Sequence, residues 1–180
     1  PAYHYLDIDV QVIELNKLKI DKLKNSKAVI INIDYPLGWA AYQVLTEIGQ
    51  NVDNVLGIYI MGKAATLNGQ IGDILIPGTV FDQHTKNLYA ITNAFSSSDL
   101  SEIFSTGRIL EHQKTVCVKG TFFENRKIID NWFKEGYTII EMETGPYLNS
   151  TYEYVYYNRY TENQFINLSS CPFDIGILHY

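Results

Sequence analysis

The chain has 180 residues, 46% apolar and 19% charged, which excludes a disordered protein and suffices for one domain around one sizeable core. A formal charge of −6 argues against binding to a nucleic-acid backbone, and no apolar run approaches the ~20 residues that span a bilayer. Cys117 and Cys171 are too few for a disulfide framework or a cysteine zinc site, and Pro1 to Asp9 does not resemble a secretory leader, so a cytoplasmic setting is expected.

In chain order, Val10 to Leu15 alternates apolar and polar residues, the pattern of a half-buried strand. Five lysines between Lys17 and Lys27 suit a solvated loop. Ala28 to Ile33 is a nearly continuous β-branched run, expected as a strand covered on both faces. Pro36 opens a helix whose apolar positions run from Leu37 to Ile48, with Gly49 as its expected C-terminal cap. Val55 to Met61 follows as a strand, so Ala28 to Met61 has the size of one strand–helix–strand unit. Asp73 to Ile76 is a short strand, Ser96 to Phe104 a capped short helix and Thr115 to Lys119 a strand. Arg126 to Lys134 is an amphipathic helix that Gly136 ends. Tyr137 to Ile140 is a strand, followed by a tyrosine-rich helix to about Tyr160. Gln164 to Leu168 and Ile175 to Tyr180 are the last two strands. This alternation predicts a three-layer α/β/α sandwich with a mixed central sheet, in a single domain over residues 1–180. The chain stops inside an apparent strand, which predicts a sequence incomplete at that end.

Three segments that leave strand ends can carry chemistry. Gly62-Lys63-Ala64-Ala65 is a small-residue turn whose backbone N–H groups can hold an anion beside the Lys63 charge, although a plain turn has the same composition. Gly120-Thr121-Phe122-Phe123-Glu124-Asn125 offers aromatics to a flat ligand, or simply to the core. Glu141-Met142-Glu143 points two carboxylates the same way on an extended chain. A carboxylate at a strand end can accept both hydrogen bonds of a vicinal diol, and a surface acid is the plain alternative. His4, His84, His112 and His179 show no metal-binding spacing, and Asp73 is expected to shape a turn.

In this order and spacing, the segments resemble the purine/uridine nucleoside phosphorylase and nucleosidase superfamily, whose members cleave N-glycosidic bonds with phosphate or water as acceptor. The resemblance runs from Ala28 to Tyr180. It rests on Val55 to Ala65, on Gly72-Asp73-Ile74-Leu75-Ile76-Pro77, on Val118-Lys119-Gly120 with Phe123, and above all on Glu141-Met142-Glu143. It implies that Gly62, Lys63 and Ala64 face the acceptor, Phe123 packs on the base and Met142 lies under the ribose. Glu143 would bind the 2′- and 3′-hydroxyls, and Glu141 would support the base or sugar site. It implies no cofactor or metal, a nucleoside or nucleotide ligand with inorganic phosphate as a possible second one, and a homo-oligomer, dimer or hexamer.

Departures from the pattern sharpen the expectation. Ile60 stands where phosphorylases carry the arginine that grips phosphate, Lys63 replaces a Ser or Thr, and Ala65 replaces a second glycine. A lone lysine does not reproduce bidentate arginine geometry, so hydrolysis is expected over phosphorolysis. The family's general acid, an Asp, would lie just beyond Tyr180, and the family's first strand has no counterpart in Pro1 to Ser26. The expected function is cleavage of the N-glycosidic bond of a purine nucleoside or nucleotide. The alternative is a sensor of the same fold that binds nucleotides without cleaving them.

Overall fold

The computed structural model describes residues 9–34, 38–120, 125–158 and 161–180. The chain divides into two compact units, residues 1–37 and residues 38–180.

In the first unit, β1 (Val10–Glu14) and β2 (Val29–Ile33) form an antiparallel pair, in register from Val10 opposite Ile33 to Glu14 opposite Val29. The side-chain period of two gathers Val10, Val12, Val29, Ile31 and Ile33 on one face. The lysine-rich connection consists of short 3-10 turns at Leu15–Lys17 and Asp21–Leu23. Its ion pairs, Lys17–Glu14 and Lys24–Asp21, are solvent-exposed and add little stability. The expectation of a strand covered on both faces fails here, because Val29, Ile30 and Ile31 are 42–49% exposed. The β-branched run favours extended backbone, but an antiparallel neighbour takes its hydrogen bonds, so it is not a strand of the main sheet.

The second unit is built on a mixed sheet. Its path is β3 (Gly57–Gly62), β10 (Asp174–His179), β5 (Ile74–Asp82), β7 (Ile109–Cys117), β8 (Ile139–Glu141) and β4 (Ala65–Thr66). A side ladder of β6 (Leu88–Ala90) and β9 (Phe165–Asn167) joins β5. β4 and β6 carry no run long enough to signal them in the sequence, and β5 and β7 are longer than expected. β10 is parallel to β3, and β7 is parallel to both β5 and β8.

One edge of β5 is taken wholly by β7, and the other is split between two partners. Leu75 meets His179 of β10, while Thr79, Val80 and Phe81 pair with β6. The side chain of Asn93 fills the fork. Its Nδ2 donates to Pro77 O and Ile177 O at 2.8 and 2.9 Å, and its Oδ1 accepts from Phe95 N and Ile177 N. An irregularity between Leu75 and Thr79 shifts the alternation of β5. Ile74 and Ile76 therefore join Leu178 and Leu100 in one core cluster, while Val80 joins Ile60, Tyr89, Leu148, Ile166 and Ile177 in another.

Helices supply the layers on either side of the sheet. Leu100, on α2 (Ser97–Ser101), belongs to the first cluster, and Leu148, on α4 (Thr144–Tyr156), to the second. α1 (Trp39–Asn51) packs on α4 through Tyr42 Oη to Glu153 Oε2 and Thr46 Oγ1 to Ser150 Oγ. Gly49 does not cap α1, which continues to Asn51. A Cβ there would sit 3.0 Å from the Tyr154 ring, so the glycine serves the helix crossing. α3 (Arg126–Lys134) starts at the side-chain cap of Asn125 and stops before Gly136, whose φ is +84°.

Candidate functional site

The path of the sheet begins with β3 and ends with β4, yet only Lys63 and Ala64 separate these strands in sequence. The three Cα–Cα steps from Gly62 to Ala65 reach about 11 Å at most, so the sheet must curl until its ends come close. That curl assembles the rim. Ala65 pairs with Ile140 and Thr66 with Ile139, which carries residues 62–64 to the end of β8 where Glu141, Met142 and Glu143 leave the sheet. Gly62 also pairs with His179 on β10, and Tyr180 N donates to Gly62 O while Ala64 N donates to Tyr180 O. The structure thus brings together Gly62, Lys63, Ala64, Glu141, Met142 and Glu143. Phe123 lies outside the described residues.

Gly62 has no positive φ, and a Cβ built on it meets nothing within 4 Å. Neither backbone conformation nor packing explains the glycine, and open space lies beside it. Lys63 is exposed and has no ion pair among the described residues. Ile60 is buried in the main core cluster, so the position where the resemblance expects a phosphate-gripping arginine is a packing position.

Glu141 and Glu143 sit in contrasting settings. Glu143 is half-buried at the start of α4, and its Oε2 accepts from Met142 N at 3.1 Å. Its other oxygen carries no hydrogen bond among the described residues. Met142 is half-buried, and its carbonyl accepts from Gly38 N, at the start of α1. Glu141 is only 4% exposed. Its Oε2 accepts from Glu143 N at 2.6 Å and Thr144 N at 2.7 Å, so this carboxyl caps the first turn of α4. Burial pushes its pKa up to about 8, against the pull of those two donors.

Residues to which the sequence reading gave no role in the site complete the surroundings. Asp82, at the end of β5, accepts from His84 N, Thr85 N and Thr85 Oγ1 and so shapes a polar turn. α4 approaches that turn so closely that a Cβ on Gly145 would lie 2.5 Å from Asp82 Oδ1. Cys117 ends β7 fully buried, and desolvation, with Glu141 and Asp82 nearby, pushes its thiol pKa well up. His179 is buried, with Nε2 3.5 Å from Thr144 Oγ1, and burial lowers its pKa to about 4. A histidine inside the apolar run of β10 and an Asp three residues before a Thr are the sequence signals that could have found these positions. Asp73 does shape its turn. It accepts from Gln70 N and binds Arg108, which holds its carboxyl far below the usual carboxylate range. No group of three metal-ligating side chains occurs among the described residues, and none of their helices is long and apolar enough to cross a membrane.

The model of a family of unknown function, DUF6909, matches residues 1–180, and the chain belongs to that family. No curated protein matches the chain. Among solved structures it is similar to AMP nucleosidase from Bacteroides thetaiotaomicron VPI-5482, at 13% identity and a TM-score of 0.59, over 83% of this chain and 62% of that one. Isoform 2 of uridine phosphorylase from Schistosoma mansoni, in complex with citrate, matches at 14% identity and a TM-score of 0.48, over 77% of this chain and 59% of that one. The chain therefore spans about three-fifths of the length of these two structures. The first likeness establishes the fold as α/β and nucleoside phosphorylase-like.

Proposed function

We propose that this member of the DUF6909 family cleaves the N-glycosidic bond of a purine nucleoside or nucleotide, with water as the acceptor. The observation that carries the proposal is the rim itself. An open turn at Gly62 comes to the end of β8, from which the half-buried carboxylate Glu143 leaves the sheet, in a fold similar to that of an AMP nucleosidase.

Each residue then has a task. Glu143 accepts hydrogen bonds from the ribose 2′- and 3′-hydroxyls. Its charge also stabilises the oxocarbenium-like transition state, which is positive where the ground state is neutral. Met142 is assigned to the sugar and Phe123 to the base, and the turn of Gly62, Lys63 and Ala64 faces the acceptor. Hydrolysis is favoured because Ile60 is a core residue, which leaves Lys63 as the cation of this turn. A single flexible ammonium orients an anion less well than a guanidinium fork. The leaving base needs a proton from a general acid. The exposed Tyr156 and Tyr157 at the end of α4 are the proposed contact with a second subunit of a homo-oligomer.

The test is release of free base from a panel of purine nucleosides and their 5′-phosphates by the full-length protein, with and without inorganic phosphate. Release independent of phosphate supports the reading, and strict dependence on phosphate makes the protein a phosphorylase. Binding without release assigns a sensor. In a nucleosidase, Glu143→Ala lowers kcat/KM about 100-fold. Unchanged activity in that variant removes Glu143 from the site.

A further inference from the structure

A continuous set of contacts joins the turn at residues 62–64 to the turn at residues 141–144. Ala64 and Gly62 exchange backbone hydrogen bonds with Tyr180, at 3.3 and 3.2 Å. The neighbouring His179 places Nε2 3.5 Å from Thr144 Oγ1. Thr144 N and Glu143 N then donate to Glu141 Oε2. Glu141 and His179 are both buried, and each encloses one polar atom, Oε1 or Nδ1, without a hydrogen-bond partner among the described residues. Burying two such groups costs free energy that an apolar pair would not, and apolar packing does not explain them. What they provide is a polar link where the two ends of the curled sheet come together.

We infer that Glu141 and His179 are positioning residues, a buried clamp that holds the acceptor turn and the Glu143 turn in one fixed geometry. The inference deepens the nucleosidase reading, and its kinetic arm rests on that reading.

The clamp is neutral between the pKa of His179, about 4, and that of Glu141, about 8. Above that range Glu141 becomes a carboxylate facing Glu143 on its own turn, the Cys117 thiol at the end of β7, and Asp82 at the end of β5, which acts on the same thiol. The added negative charge repels Glu143 and loosens the turn. His179 faces Gly62 of β3, with Lys63 next in the chain, Leu75 of β5 and the Thr144 hydroxyl at the start of α4, and Tyr180 follows it on its own strand.

Backbone amide spectra of the full-length protein, followed between about pH 6 and 10, test the clamp directly. The amides of Glu143 and Thr144 are expected to titrate with a midpoint near 8, and Glu141→Gln is expected to abolish that titration. Base release by the wild type falls through the same midpoint, and Glu141→Gln flattens that profile. His179→Ala lowers kcat about 100-fold with a smaller change in KM, and His179→Gln restores part of the loss. Amides that do not titrate, or a titration that survives in Glu141→Gln, overturn the clamp. So does loss of rate in Glu141→Gln with unperturbed amides, which would mean direct action on substrate. If the wild type releases no base from any nucleoside, the nucleosidase reading fails, and the amide titration alone decides the clamp.

Discussion

The β1–β2 pair and the curled sheet draw on the same residues, Val and Ile, and use them differently. In the pair, the apolar face of Val10, Val12, Val29 and Ile31 is 42–67% exposed. In the sheet, Ile177, Val80 and Val116 are wholly buried, each face of the sheet carrying its own core cluster. The two share hydrogen-bonded ladders but not burial, and burial supplies most of the stabilisation, at roughly 25 cal/mol per Å² of apolar surface. An isolated pair of strands is marginal for that reason.

The sharpest contrast is at Ile177. Replacing it by Ala leaves a cavity in the main cluster and destabilises the fold by about 3–4 kcal/mol in urea unfolding. A loss below about 1 kcal/mol would mean that the sheet is packed as loosely as the pair. Next comes Gly145→Ala, which drives a methyl group into Asp82 beneath α4 and costs about 2–3 kcal/mol. Calorimetric melting of this variant tests whether the close approach of helix and strand is as rigid as the geometry demands.

A pH series probes the buried polar groups that only the sheet contains. Glu141 has a folded pKa raised from 4.5 to about 8, so the folded protein holds a proton that the unfolded chain releases, and stability is lost as pH rises through that interval. His179 has a folded pKa lowered from 6.5 to about 4, so its contribution is full above 6.5 and lost as pH falls through 4. Between 4.5 and 6.5 the two slopes cancel. From 6.5 to 8 the Glu141 slope acts alone and removes about 2 kcal/mol. Denaturant midpoints across this range should fall in the wild type and stay flat in Glu141→Gln. The smallest expected effect is Ile31→Ala in the pair, below about 1 kcal/mol, because Ile31 is already 42% exposed. A larger loss would show that the apolar face of the pair is covered.

Local elements were readable in the chain wherever one force decided them. The capping Ser96 and Asn125 start α2 and α3 as their side chains dictate, and the β-branched run at residues 29–33 and the apolar stretch within residues 174–179 are strands. Asn93, by contrast, gave no signal. A lone Asn among turn residues does not reveal that its amide will serve two strands at once. Nor does Gly49 reveal that it lies under a tyrosine ring more than a hundred residues away.

The sequence by itself determined the alternation of strands and helices and the residue types at the candidate site, the turn at Gly62 and the pair Glu141 and Glu143. Backbone propensity, side-chain period and capping act within a few residues, so they are written locally. Only the tertiary structure decided that β2 pairs with β1, that β5 divides one edge between two partners, and that the sheet curls until the turn after Gly62 reaches the end of β8. It also decided that, of two carboxylates two residues apart, Glu143 stays half-open and Glu141 is sealed beneath a helix. Partners and burial depend on contacts far apart in the chain, and no local pattern encodes them.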